Sequence, residues 1–150
     1  MQIITFRPKF QNQINIFFQE IWRSLGRRWP LSVDQDMFNI PLSYQKEGED
    51  FWIALQEDKI IGTAGLRRFE THIAEFKRFY VHPDFQRQGI GSALLTTAIE
   101  KARNERYQSV RLDTKRNSQA MRMFSQKGFI EIEPYYQNSF AEVFMELELV

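Results

Sequence analysis

Apolar residues recur at two different periods along the chain, and the change falls near residue 50. Before it, Ile14, Phe17, Phe18, Ile21, Trp22 and Leu25 share one face of a helix that opens after Pro8 and ends near Gly26. A short strand over 2–6 precedes it. Ser32-Val33-Asp34-Gln35 has the form of a capping box for a short second helix, which Pro41 is expected to stop. The charged turn at 46–50 is too short to separate two cores. From residue 50 the pattern is that of strands: 51–55 and 60–66 read as a hairpin around Glu57 and Asp58, and 73–81 as a third antiparallel strand. Ile90, Ala93, Leu94, Ala98, Ile99 and Ala102 then line a helix running to about Glu105.

A strand over 109–113, a helix over 117–127 with Ala120, Met121, Met123 and Phe124 inward, and strands over 129–134 and 140–149 complete the order. In the last, Met145, Leu147 and Leu149 alternate with Glu146 and Glu148. The sum is a single α/β domain over 1–150, with a mixed, mostly antiparallel sheet and helices on both faces.

Composition narrows the chemistry. A net charge of +1 gives no argument for nucleic acid or a membrane surface. Its distribution says more: eight Lys and Arg lie between Lys101 and Lys127 against two acids, and five Glu follow Gly128 with no Lys or Arg. A basic middle suits a phosphorylated ligand; the late Glu would suit a cationic acceptor or a solvated strand face equally. With no cysteine there is no disulfide and no acyl-cysteine intermediate. His72 and His82 share no metal-ligand spacing, so no metal is expected. No apolar leader or 18-residue apolar run is present, and the expected location is the cytoplasm.

The most informative stretch is 80–95. A strand ends in Val81-His82-Pro83, Gly89 and Gly91 follow, and a helix begins at once. Glycines there leave the first amides of the helix open to a phosphate or pyrophosphate, which the helix dipole also favours. A dinucleotide fingerprint would need a small residue at Leu94, and no GxxxxGK[ST] occurs. Gln86-x-x-Gly89-x-Gly91, joined to Asn117-x-x-Ala120-x-x-Met123-Phe124-x-x-x-Gly128-Phe129, resembles the GNAT superfamily of acetyl-CoA dependent N-acetyltransferases from about Phe51 onward. The remaining alternative from residues alone is an unrelated phosphate- or nucleotide-binding α/β protein.

The resemblance implies acetyl-CoA as co-substrate and an amine, small-molecule or protein, as acceptor, with a homodimer possible. It implies that the backbone of Phe79, Tyr80 and Val81 pairs with the pantetheine arm, Tyr80 among them polarising the thioester carbonyl. Gln86, Arg87, Gln88, Gly89, Ile90, Gly91 and Ser92 would hold the pyrophosphate, with Asn117 and Phe124 as further cofactor contacts. Asn117 also reads as an N-cap. Glu75 is the candidate general base, with a water relay as the alternative route; by alternation it shares a face with Lys77, Phe79 and Val81, and its structural alternatives are a solvent-facing strand Glu or pairing with Lys77 or Arg68. Phe124 stands where many members have a proton-donating Tyr, and a phenyl ring donates nothing. That departure leaves the general acid unassigned, with the thiolate leaving unassisted or another donor substituting, for which Tyr135 and Tyr136 are near in sequence, and it keeps open a silent CoA-binding module. Tyr135 and Tyr136 are expected to wall the acceptor pocket; Trp29, Tyr44 and Phe51 would join that wall or the core.

Overall fold

The computed structural model describes residues 1–138 and 140–149. One seven-stranded sheet runs in the order β1-β2-β3-β4-β5-β7-β6. Its strands are β1 (Gln2–Thr5), β2 (Asp50–Gln56), β3 (Lys59–Glu70), β4 (Ile73–Val81), β5 (Ser109–Thr114), β6 (Ile130–Ile132) and β7 (Val143–Glu148). Every pairing is antiparallel except β4 with β5. A parallel neighbour needs a crossover, and the helix α3 (Ile90–Asn104) supplies it. The two alternating faces of the sheet are both covered. On one, α3 and α4 (Gln119–Gln126) bury Leu94, Leu95, Ala98 and Phe124 against Ala64, Leu66, Phe76 and Val110. On the other, α1 (Gln11–Ser24) and α2 (Ile40–Tyr44) bury Phe17, Phe18, Ile40 and Tyr44 against Phe51 and Ile53. Each fully buried Leu, Ile or Phe is worth about 1.5–3 kcal/mol.

The helical stripe of α1 is the expected one up to Trp22, but Leu25, at its C-cap, is 52% exposed and stands at the edge of a cleft. The second helix differs more. Residues Ser32–Phe38 form a 3-10 helix whose N-cap is Leu31, not Ser32, because the Asp34 carboxylate accepts the Leu31 N–H at 2.7 Å. Pro41 does not stop a helix; it occupies the first turn of α2, where its missing N–H costs nothing, and Asn39 caps that turn by accepting from Leu42 N–H. Tyr44 and Phe51 are wholly buried, so they belong to the core and not to a cleft wall.

Two irregularities of β4 matter for the site. Its parallel ladder with β5 covers only Ile73↔Ser109 to Glu75↔Arg111, and beyond that the two strands part. Against β3, Lys77 pairs with Gly65 and Tyr80 with Thr63, so three steps on β4 oppose two on β3. This bulge centres on Arg78, at φ 54°, and the Thr63 hydroxyl donates to Arg78 O at 2.7 Å to hold it. An extra residue reverses the alternation that follows. Phe79 and Val81 therefore pack with the α3/α4 face, while Glu75 and Lys77 lie on the opposite one. The expectation that Glu75 shares a face with Phe79 and Val81 is corrected by the bulge.

Candidate active site

The chain leaves β4 through His82, whose Nδ1 accepts the Asp84 N–H and whose Nε2 lies 2.6 Å from Glu20 of α1. That contact ties the loop to the first helix. Gln86 folds back so that its side-chain amide donates to Val81 O at 3.3 Å. Arg87 and Gly89 both take left-handed backbone, φ 63° and 82°, and Gly89 is the N-cap of α3 with no side chain capping the first turn. A Cβ on Gly89 would meet nothing within 4 Å, so the amides behind it face open space. Unpaired N–H groups at a helix start favour an anion.

These residues bound a cleft of about 930 Å³ between β4, α3, α4 and the end of α1. Phe79, Tyr80, Val81, Gln86, Arg87, Gly89, Ile90, Gly91 and Ser92 all line it. Charged residues on its wall are Arg87, Arg122 and Lys127; among the described residues no carboxylate lines it. Such a wall concentrates positive potential where a polyphosphate would lie. Arg122 and Lys127 carry this feature without having been singled out by sequence, although the basic run from Lys101 to Lys127 was its signal.

The inner end has an aromatic floor. Phe79 packs on Phe76 and Phe124 with ring centroids 5.2 and 5.7 Å apart. Phe124 is only 2% exposed and lies beneath Phe79, so it shapes the floor and does not line the cleft. A Cβ on Gly91 would meet the Phe79 ring at 3.0 Å, so this glycine is required by Phe79 as much as by amide access. Gln88 and Asn117 do not line the cleft. Asn117, at φ 59°, is not the N-cap of α4: Ser118 is, its hydroxyl accepting the Met121 N–H at 3.0 Å.

Across the sheet from that floor is a polar cluster. Glu75 is 2% exposed, with Oε1 held by Arg67 (3.1 Å from Nε, 3.0 Å from Nη2) and Oε2 accepting from the Tyr135 hydroxyl at 2.9 Å. Burial and the neighbouring Glu75 carboxylate push the Tyr135 phenol well up. Beside it, the Tyr136 hydroxyl donates to Asp113 and accepts from Lys77 Nζ at 2.9 Å and from Asn138 Nδ2 at 3.1 Å. Burial and the Asp113 hydrogen bond raise Tyr136 likewise. Tyr80 packs edge-on against Trp22 and Phe18, and burial raises its phenol although Arg78 opposes this.

The bulge itself is anchored from outside the sheet. Arg78 donates from Nη1 to Asp34 (3.1 Å), from Nη2 to Asp36 (2.6 Å) and to Val33 O (2.9 Å), and from Nε to Asp36 (3.0 Å). Tyr44 donates to the same Asp36 at 2.5 Å. Burial pushes Asp36 up, but the hydrogen bond and charge of Arg78 outweigh it and hold the carboxyl below its ordinary value. Neither acid carried a sequence motif beyond the misplaced capping box.

A loop-capped helix, an open strand edge and a cationic cleft define a site for a polyanion with an extended arm. The Acetyltransferase (GNAT) family matches residues 14–129, and the chain belongs to it. Human N-acetyltransferase 8 is 32% identical over 123 residues, 75% of this chain and 54% of that protein. The chain thus spans about half the length of the curated relatives it matches. In structure it is similar over 99% of both chains to a GNAT family acetyltransferase of Staphylococcus aureus Mu50 (TM-score 0.87, 24% identity). It is also similar to the yncA protein of Salmonella typhimurium, solved with its cofactor acetyl-CoA (TM-score 0.75, 19% identity, 99% of this chain and 94% of that one). No helix among the described residues is long and apolar enough to cross a membrane.

Proposed function

We propose that the chain is an N-acetyltransferase that moves an acetyl group from acetyl-CoA directly to an acceptor amine in a ternary complex. The observation that carries this reading is the cleft, where open first-turn amides and three cations adjoin the free edge of β4. The amides from Arg87 to Ser92 hold the pyrophosphate, with Arg87, Arg122 and Lys127 adding charge. The backbone at Phe79 to Val81, freed by the parting of β4 from β5, pairs with the pantetheine arm. A fixed backbone N–H there polarises the thioester carbonyl and receives the oxyanion without reorganisation. The chain has no cysteine on which an acyl-cysteine could form, in keeping with direct transfer.

The amine attacks only after losing a proton. Glu75 has both oxygens engaged, so in this reading it draws that proton through the Tyr135 hydroxyl and not by contact with the amine. Phe124 and Gln88 act indirectly, as floor and loop residues, and Asn117 sets the start of α4. Thiol release from acetyl-CoA across a panel of small amines and amine-bearing peptides tests the reading. Release that depends on the amine supports it. Tight acetyl-CoA binding with no amine-dependent release across the panel would instead define a binding module without turnover.

A further inference from the structure

Phe124 is buried and has no proton to give, so a proton delivered to the departing thiolate must come from another group, and the junction of β4 and β5 holds a network of hydroxyl and ammonium donors. The parallel register runs Ile73↔Ser109 and Glu75↔Arg111, so the next pair on the same face is Lys77 and Asp113. That pair falls where the ladder ends and the strands part. There Lys77 Nζ lies 3.7 Å from Asp113 Oδ2, with side chains each 19% exposed. The Tyr136 hydroxyl sits between them, accepting from Lys77 at 2.9 Å and donating to Asp113. Phe76 and Phe79, on either side of Lys77 along β4, pack with Phe124 on the opposite face of the sheet, so this cluster lies across the sheet from the aromatic floor.

We propose that Tyr136, fed by Lys77, is the general acid of the transfer, taking the place that Phe124 cannot fill. This rests on the transfer reading above. As the tetrahedral intermediate collapses, the C–S bond breaks and its electron pair goes to sulfur. The Tyr136 hydroxyl turns from Asp113 to the thiolate and gives it a proton; the phenolate oxygen takes a proton from the Lys77 ammonium; Lys77 regains one from solvent through its exposed edge. Lys77 stabilises the developing phenolate, and Asn138, donating to the same oxygen at 3.1 Å, does so too. Asp113 holds the hydroxyl in register in the resting enzyme. The charged and titratable groups facing the phenol are Lys77 and Glu75 from β4, Asp113 from β5, and Tyr135 beside it, whose own ring carries the Arg111 guanidinium.

The test uses the whole chain and the amine giving the fastest thiol release. Tyr136→Phe keeps the ring packed on Tyr135 and Phe144, with centroids 5.2 and 5.5 Å apart. It should lower kcat by roughly 100-fold, the scale of a lost proton-transfer contribution, and remove the alkaline limb of the pH profile. Acetyl-CoA affinity by calorimetry should stay within about threefold, since Tyr136 does not line the cationic cleft where the phosphates would be held. Lys77→Met should shift the alkaline limb while leaving the phenol in place. An active wild type whose Tyr136→Phe variant keeps half its kcat across the pH range would overturn the assignment. So would parallel loss of kcat and acetyl-CoA affinity, or an alkaline limb unmoved in Lys77→Met. A wild type that binds acetyl-CoA but releases no thiol with any amine would sink the transfer reading itself, and the acid with it.

Discussion

Gly89 and Gly91 look equivalent in the sequence, yet one is required by its backbone conformation and the other by a side-chain contact. Gly89 is needed for its left-handed backbone and has open space where a Cβ would go. Gly91 is needed because Phe79 lies against it at 3.0 Å. Gly89→Ala should therefore cost about 1 kcal/mol through backbone strain, with acetyl-CoA affinity largely kept. Gly91→Val must push the Phe79 ring and the cleft floor, and should lower affinity roughly tenfold or more, about 1.4 kcal/mol in binding. Urea unfolding and calorimetry on the two variants separate these effects. Equal losses of affinity in both would mean that amide access alone decides the site. Nine of the twelve anticipated cofactor contacts line the cleft, because the loop motif is local and its geometry follows from a few residues. Gln88, Asn117 and Phe124 do not, since a motif gives spacing but not which way each side chain turns.

At the scale of elements, the decisive feature is one that hydrophobic period could not reveal. The bulge at Arg78 turns Phe79 and Val81 to the α3/α4 face and leaves Glu75 on the other. Strand alternation gave no warning, because Arg78 occupies positive φ by virtue of partners some forty residues earlier, Asp34 and Asp36. The 3-10 segment that carries those acids is likewise set by Asp34, which accepts the Leu31 N–H locally and the Arg78 guanidinium across the fold, and together these outweigh a Ser-x-x-Gln cap. Asp36→Asn leaves the largely buried Arg78 guanidinium with Asp34 as its remaining carboxylate partner and should destabilise by about 3 kcal/mol. Because the folded protein holds the Asp36 carboxyl below its unfolded value of 3.8, that stability is present above about pH 4. It fades as pH falls through the lower folded value. The gap between wild type and Asp36→Asn in urea unfolding should then close toward pH 2; a gap constant from pH 7 to pH 2 would contradict the charge-based account.

Over the whole molecule, charge is arranged by compartment. The cleft between β4, α3 and α4 has only cations among the charged residues of its described wall, while acids on the other face are matched: Glu75 with Arg67, Asp113 with Lys77, Glu146 with Arg111. The late Glu residues that suggested a cationic acceptor are partly taken up in this way, with Glu131 held by Arg116 and Glu146 by Arg111. They are thus a weaker guide to the acceptor than their number in the sequence implied. The architecture itself was legible: element order along the chain, the mixed sheet and the helices on its two faces all follow from period and glycine placement. Order within the sheet was not, because the insertion of β7 between β5 and β6 depends on long-range pairing.

Calorimetric titration with acetyl-CoA, with CoA and ATP alongside, tests the cationic cleft and the open strand edge together. The expected result is micromolar binding of acetyl-CoA and CoA that weakens with added salt, and much weaker binding of ATP, which has phosphates but no arm for β4. Absence of binding at millimolar acetyl-CoA, or ATP bound as tightly as CoA, would contradict the assignment of the cleft.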